Sequence, residues 1–550
     1  MEAPAIPPRW IALALITALA AALRLIDLGS VRLDPFYDAA VRSMGVSWHN
    51  FFFGAYEPAG SVSIDKPPID LWLQVASVKL LGWGSTSLKL PEALAGTLSV
   101  PLLYAAVRRP FGAVAGLVAA LALAVLPIEA ITARSDTMDA VMMLLLVLAL
   151  LLLVRACESG RTGWLLAAAA ALGVAFNVKL LESMVALPGL VVLAWLGLPR
   201  HSSLPREALG TAGERPSPRR GLRVWQLAAA GAVYLAVALS WLGATLLYPA
   251  HDRPWAIGST NGSAWNAAFV FNGTERLTGK AAEVSQATAH GSAQQITPPS
   301  PTRLLARSGQ LPAKWLGWEM LAALLLGAVA VVATARRTAS RVQRATAVGM
   351  FLWLLTGLVL FSSMARLHPR YVESFTPAVA GMFGIGVSIV ASRGRNLRWL
   401  APPLTALLAI PLLASVRAVE GNVTDAGNVG ALPGGEQHAL SSFLLAHQGA
   451  ARYEVAAGSA TAVASLIVGD LRPVLMLTTY NGRQLSSVAD LKAQIASGAV
   501  KYAFLNSLCG SHSSKTTAGC APAARWVRAQ GTDVSRQAGL PARGLLWRLP

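Results

Sequence analysis

Runs of about twenty consecutive apolar residues recur along most of this chain, and no other feature restricts its fold as strongly. Each run is long enough to cross ~30 Å of hydrocarbon as a helix. The reading is a multi-span membrane protein rather than a large soluble core. Composition agrees: 54% of the 550 residues are hydrophobic and 13% are charged, where soluble domains carry about 25% charged residues.

Eleven spans are expected, near residues 10–27, 91–107, 112–131, 138–154, 163–178, 183–198, 224–248, 316–335, 345–363, 374–391 and 397–416. From the second span onward, alternate connections carry clustered arginine: Arg108 with Arg109, Arg155 with Arg161, Arg200 through Arg223, Arg336 through Arg344, and Arg393 through Arg398. The positive-inside rule assigns these to the cytoplasm. The net charge of +19 is therefore topology information, and a nucleic-acid partner is excluded. The first apolar segment is long for a signal peptide and lacks a small-residue cleavage site, so it reads as a retained helix.

The other connections then face outward. The longest, residues 28–90, contains two amphipathic helical stretches, Val41–Phe53 and Pro68–Leu80, with Trp48, Phe51, Phe52, Phe53 and Trp72 as interfacial anchors. After residue 417 the pattern changes. Arg452–Ala457, Pro473–Leu477 and Val500–Leu505 read as strands, and Glu436–Gln448 and Val488–Ala496 as helices. Ser487 with Asp490 three residues on is an acidic variant of a capping box. The expected fold class is thus an all-α polytopic membrane protein of about 11 transmembrane helices, with amphipathic outer-loop helices (residues 1–416), followed by a small C-terminal extracytoplasmic α/β domain (residues 417–550). In that outer domain Cys509 and Cys520 are disulfide candidates; the alternative is two unrelated thiols. Cys157 falls in a cytoplasmic turn.

Ionisable side chains at membrane depth tend to be functional or paired. Here they gather at the outer ends of the spans: Asp34, Asp38, Asp65 and Lys66 in the first loop, Arg134, Asp136 and Asp139 at the third connection, Lys179 and Glu182 after the fifth span, and Arg366, His368 and Arg370 after the ninth. Carboxylates beside cations suit transfer of a group from a phosphate carrier to a hydroxyl. A carboxylate takes the proton of the attacking hydroxyl, and Lys, Arg and His neutralise the phosphate leaving group. Competing structural readings exist. Asp136 and Asp139 could pair with Arg134, Lys179 could snorkel to the interface, and Asp34 and Asp38 could cap the loop. Arg366 and Arg370 break the positive-inside phase by lying outside, which favours phosphate contact.

The aromatic-acidic loop after the first span, then Asp65-Lys66-Pro67-Pro68, then Arg134 with Met138-Asp139, resembles the integral-membrane GT-C glycosyltransferases. Within them the chain resembles the protein O-mannosyltransferase-like (PMT_2, glycosyltransferase family 39) superfamily. It is most similar to its bacterial YkcB-type branch and more distantly to the lipid A aminoarabinose transferase. Ser47-Trp48-His49-Asn50-Phe51-Phe52-Phe53, Phe176-Asn177-Val178-Lys179, Gly258-Ser259-Thr260-Asn261, Phe271-Asn272-Gly273 and His368-Pro369-Arg370-Tyr371 carry the likeness. The resemblance implies a polyprenyl-phosphate-linked sugar donor and inverting transfer to an extracytoplasmic glycan, lipid or protein hydroxyl, at a bacterial plasma membrane. It implies a first-loop carboxylate as general base, with Asp34 ahead of Asp38. Lys66, Lys179, Arg366, His368 and Arg370 would contact the donor phosphate, and Asp65, Arg134, Asp139, Tyr37 and Asn261 would support them. Relatives often carry a second acid where Pro35 stands, and His-Pro-Tyr-Tyr where this chain has Arg370. No cofactor is expected, and a divalent metal is left open. A lipid-linked-sugar flippase and an inactive GT-C-like scaffold are the rival functions.

Overall fold

The computed structural model describes residues 7–199, 220–278, 298–304, 316, 318–365, 367–393, 401–424, 431–459, 462–479, 483–506 and 518–550. Among these, seven helical stretches are long and apolar enough to cross a membrane, and Arg223–Ala238 and Glu319–Thr334 are shorter apolar helices. The chain is a multi-pass membrane protein of mostly helical build, with a small mixed sheet near its C-terminus.

The first helix, α1 (Pro8–Leu25), leads into the loop that holds α2 (Pro35–Met44), α3 (Trp48–Phe53) and α4 (Ile69–Leu81). The expected single stretch Val41–Phe53 is split between α2 and α3. Gly45 follows α2, and Ser47 restarts the helix by accepting the Asn50 N–H. The long α5 (Ser85–Val125) contains the second expected span and most of the third, which runs on into the following short helix. Gly112, at φ 85°, divides α5 in a conformation that favours glycine. A short helix, α6 (Pro127–Thr132), precedes α7 (Asp139–Ser159), whose Leu-rich body has no proline and ends at left-handed Gly160. Then α8 (Thr162–Lys179) passes through a 3₁₀ turn, Leu180–Ala186, into α9 (Leu187–Gly197).

Small residues let these helices approach closely, as membrane packing requires. A Cβ added at Gly189 of α9 would lie 2.3 Å from the Gly349 carbonyl oxygen of the Arg341–Ser363 helix. The Thr376–Arg393 helix packs on α5, with Gly384 against Ala115 and Ala119.

Two short strands tie distant loops together. β1 (Val62–Ser63) pairs in parallel with β2 (Trp255–Ala256). This pairing brings the segment after the Arg220–Ala238 helix against the first loop. A π-helix, Ala267–Thr274, follows, a distortion that often marks functional sites.

In the C-terminal region, β3 (Ala456–Ala457), β4 (Leu475–Met476), β5 (Tyr502–Phe504), β6 (Thr532–Asp533) and β7 (Leu546–Arg548) form one sheet in the order β4-β3-β5-β7-β6. The first three run parallel, and β7 and β6 are antiparallel. Side chains alternate between its faces. Ala456, Leu477, Ala503 and Leu505 meet one apolar cluster, while Val455, Ala457, Met476 and Phe504 join the core shared with the helical bundle. The Ser487–Asp490 capping box is present at the start of the Val488–Ala496 helix. The Ala464–Asp470 helix of this region rests on α2. Glu57 of the first loop, fully buried, accepts the N–H groups of Ala59 and Ser61 and of Val474 beside β4.

Candidate functional site

The site is built on the start of α2. Asp34 is its N-cap, accepting the Phe36 N–H at 3.1 Å, and Pro35 occupies the first turn, where no N–H is needed. The capping expectation for Asp34 and its place in a charged cluster therefore coincide. One turn on, Asp38 is fully buried. Among the described residues neither of its carboxylate oxygens has a hydrogen-bond donor. Burial, then the facing carboxylates of Asp136 and Asp34, push the Asp38 carboxyl well above the usual range, with Lys89 opposing them. Asp136 accepts the Asp34 N–H at 2.9 Å and lies 3.8 Å from the Lys89 ammonium.

The cations gather around Tyr37, three residues after Asp34, and Tyr371. Lys66 is 3.4 Å from the Tyr37 hydroxyl and pairs with Asp65 at 3.1 Å. Arg276 donates to the Tyr371 hydroxyl at 2.6 Å and to Asn272 Oδ1 at 3.0 Å, and lies 3.6 Å from Asp65. Lys179 pairs with Asp139 and, at 2.9 Å, with Glu182, and its ammonium stands 5.4 Å from the Tyr371 ring centre. The charge of Arg370 acts on Tyr37, Lys179 and Tyr371 alike. His368 meets the Tyr371 ring edge-on at 5.1 Å. Burial raises the Asp65 carboxyl, but Lys66 and Arg276 outweigh it and hold the group below its ordinary value. Burial alone dominates Tyr37 and raises its phenol.

Local sequence explains the placement. Lys179 ends α8 and Asp139 begins α7, so the pair joins the two helix ends. Glu92 of α5 caps α7 by accepting the N–H groups of Ala140 and Val141 at 2.8 and 3.1 Å. Asn272, in the π-helix, donates to the Asp65 carbonyl at 2.7 Å and so fixes the Asp65-Lys66 turn. A small crevice beside Lys66 is lined by Ile64, Asp65, Pro67, Trp241, Ala264 and Ala267.

The structure thus brings together Tyr37, Asp65, Lys66, Asp139, Lys179, His368 and Arg370, with Asp34 and Asp38 adjoining. It does not bring Asn261 to them, and Arg134 acts in this region only through its charge, at Lys89. The structural alternative, Arg134 paired with Asp136 and Asp139, is not the arrangement found. Arg134 donates to the Ile26 carbonyl and to Asn422 Oδ1 at 3.4 Å, while Lys89 and Lys179 hold the two aspartates. Asn261 is exposed and accepts the Ser263 N–H. Arg366 lies outside the described residues, as does Cys509, so the Cys509–Cys520 expectation falls there too. Sequence reading missed Arg276, although it follows the matched Phe271-Asn272-Gly273 by less than one helical turn. It also missed Lys89, a cation at the outward start of the second expected span, the same out-of-phase signal that drew attention to Arg370. Among the described residues, no group of three or more His, Cys, Asp or Glu side chains is disposed to hold a metal ion.

Helical bundle and small mixed sheet together have the GT-C fold. The crystal structure of ArnT from Cupriavidus metallidurans bound to undecaprenyl phosphate aligns with a TM-score of 0.53 at 17% identity, covering 90% of this chain and 93% of that one. The archaeal oligosaccharyltransferase AglB from Archaeoglobus fulgidus, in complex with an inhibitory peptide and a dolichol-phosphate, aligns at 0.53 and 12% identity over 90% of this chain and 69% of that one. Residues 65–210 match the PMT_2 family, described as dolichyl-phosphate-mannose-protein mannosyltransferase, and residues 440–530 match the family described as "Putative mannosyltransferase YkcB-like, C-terminal". The two matches fall on separate stretches, one beginning in the first loop and one within the C-terminal region. Two Bacillus subtilis (strain 168) proteins, "Putative mannosyltransferase YkcB" and "Putative mannosyltransferase YycA", are 35% and 34% identical over 45% of this chain. The matched region spans about a third of those relatives, 32% and 33% of their length.

Proposed function

We propose that this chain is an inverting glycosyltransferase that moves a sugar from a polyprenyl-phosphate carrier to a hydroxyl on the outer side of a bacterial plasma membrane. The observation that carries the reading is the gathering of Lys66, Lys179, Arg276 and Arg370 around Tyr37 and Tyr371, with Tyr37 one helical turn from the Asp34 carboxylate at the start of α2. Asp65 holds Lys66 and Arg276, and Asp139 with Glu182 holds Lys179, so these cations are fixed in place where an anionic ligand would meet them. The family match and the lipid phosphates named for the two structural relatives agree with that ligand chemistry.

In the proposed reaction the acceptor oxygen attacks the anomeric carbon as the bond to the phosphate oxygen breaks. The acceptor proton goes to the Asp34 carboxylate. The polyprenyl phosphate leaves with the bonding pair, and the cation cluster takes up its charge. Asp34 is preferred to Asp38 as base because Asp38, buried against Asp136, favours its protonated form. The eleven-span count belongs to the same proposal: α5 divides at Gly112, and α8 and α9 divide at Leu180–Ala186, each supplying two crossings. So does the division into a transferase unit, residues 1–416, and an outer α/β unit, residues 417–550.

The test is mass spectrometry of lipid copurified with the protein, followed by transfer assays with the donor so named, using wild type, Asp34→Asn, Asp38→Asn and the double variant. The proposal expects a polyprenyl-phosphate sugar, product with wild type, and none with Asp34→Asn. Undiminished transfer by the double variant removes the base assignment. Movement of intact lipid-linked sugar across vesicles without a glycosyl product supports a flippase, and neither product nor movement supports an inactive scaffold.

A further inference from the structure

Three carboxylates and one ammonium are buried together around the first turn of α2: Asp34 is 3% exposed, and Asp38, Asp136 and Lys89 are each 0% exposed. Asp136 engages two of the others at once. Its Oδ2 accepts the Asp34 backbone N–H at 2.9 Å and lies 3.8 Å from Lys89 Nζ. Lys89 is itself fixed by the Val31 carbonyl at 3.2 Å and the Ser85 hydroxyl at 2.7 Å. These contacts join the first loop, α5 and the turn before α7 at one point. The remaining oxygens are unsatisfied: among the described residues, both oxygens of Asp38 and Oδ1 of Asp136 have no donor. The two carboxyl groups face each other. Two ionised carboxylates in a dry interior are not balanced by one ammonium 3.8 Å from one of them. A single proton between them removes a charge and supplies the missing donor.

We propose that Asp136 and Lys89 are positioning residues for Asp34: Asp136 fixes the Asp34 backbone and sets the field at its carboxylate, Lys89 offsets the Asp136 charge there, and Asp38 is held to Asp136 by a shared proton. This rests on the reading of Asp34 as the base. The groups facing the cluster are Tyr37 and Asp38 from α2, Tyr56 from the first loop, Lys89 from α5, and Asp136 with Arg134 from the turn before α7.

The experiment is the pH dependence of kcat for three variants, with an infrared measurement that needs no turnover. Asp136→Asn keeps an acceptor for the Asp34 N–H but loses the charge, so the acid limb moves to lower pH by about one unit. Lys89→Gln leaves the neighbouring negative charge unrelieved, and the acid limb moves up by a similar ~1 unit. Asp136→Ala loses acceptor and charge together, and kcat falls about 100-fold while donor KM stays within about twofold. In infrared difference spectra, Asp38→Asn removes a protonated-carboxyl band. A residue of merely structural importance would lower kcat without moving the limbs in opposite directions. Unmoved limbs, limbs that move the same way, or an Asp38→Asn spectrum with the band intact overturn the proposal. If Lys89→Gln does not fold, the Asp136→Asn shift and the infrared band still decide it. If Asp34→Asn transfers sugar like wild type, the base reading fails by itself, and the infrared result still reports on the Asp38–Asp136 proton.

Discussion

Lys179→Met isolates the cation that the structure commits most fully. Its ammonium pairs with Asp139 and, at 2.9 Å, with Glu182, and the three side chains are 2%, 0% and 15% exposed. Replacing the ammonium by a methyl leaves two carboxylates without their cation. Breaking a buried pair this way costs about 3–5 kcal/mol. Two features reduce the cost. Asp139 begins α7 and gains up to about 1 kcal/mol from the helix N-terminus, and Glu182 is partly reached by solvent. The expected loss is therefore about 3 kcal/mol, read as an earlier thermal transition in detergent by fluorescence-detected size exclusion. Adding Asp139→Asn removes the stranded charge, so the double variant regains most of that loss. Donor binding does not recover, because a charged contact to phosphate is worth about 1.5–3 kcal/mol, or about 10- to 100-fold in Kd. A single variant that melts with wild type, or a double variant that binds polyprenyl-phosphate sugar as tightly as wild type, would refute this reasoning.

Arg276→Met removes the contacts to Tyr371, Asn272 and Asp65, and donor affinity should fall at least ~10-fold, measured by equilibrium binding; Arg276→Lys should recover only part of it, since the fork geometry is lost. Burial and the adjacent Asp470 push the Glu454 carboxyl of the C-terminal region from 4.5 up to about 9. The folded state therefore holds a proton that the unfolded chain releases, so its contribution is complete below about pH 4.5 and is lost as pH rises to about 9. Melting curves across that window should slope downward for wild type and flatten for Glu454→Gln. Gly189→Ala drives a methyl to 2.3 Å from the Gly349 carbonyl oxygen; pushing α9 off its partner helix should destabilise by about 1–3 kcal/mol, visible as a lowered melting temperature with no change in donor Kd.

Much of this architecture is legible because membrane helices are written locally. Apolar runs and the arginine phase locate the helices, and the Ser487–Asp490 box marks a helix start that the structure contains. The strands β3, β4 and β5 fall inside the stretches expected for them. What was not legible depends on contacts between distant segments. The β1–β2 pair joins residues nearly two hundred positions apart through two residues on each side, too few to leave a pattern. The same pairing delivers Arg276 to Asp65, so its role is invisible without the fold. Arg134 and Lys89 illustrate partner choice. Nearness in sequence favours Arg134 as the partner of Asp136, but the Arg134 side chain turns toward the end of α1 and Asn422. Lys89, one turn into α5, takes Asp136 instead. The break between α2 and α3 was readable in principle, since Gly45 and the cap at Ser47 are both local signals.

The central claim is that a lipid phosphate is held by Lys66, Lys179, Arg276 and Arg370 beside the Asp34 carboxylate. The most direct measurement is a cryo-electron microscopy structure of the full chain in lipid nanodiscs with a polyprenyl phosphate bound. The account predicts phosphate density within hydrogen-bond distance of at least three of those four side chains, with Asp34 facing the space where the sugar would lie. A phosphate seated elsewhere, with Lys66 and Arg276 still paired to Asp65 and Lys179 to Asp139 and Glu182 as they are here, would contradict it.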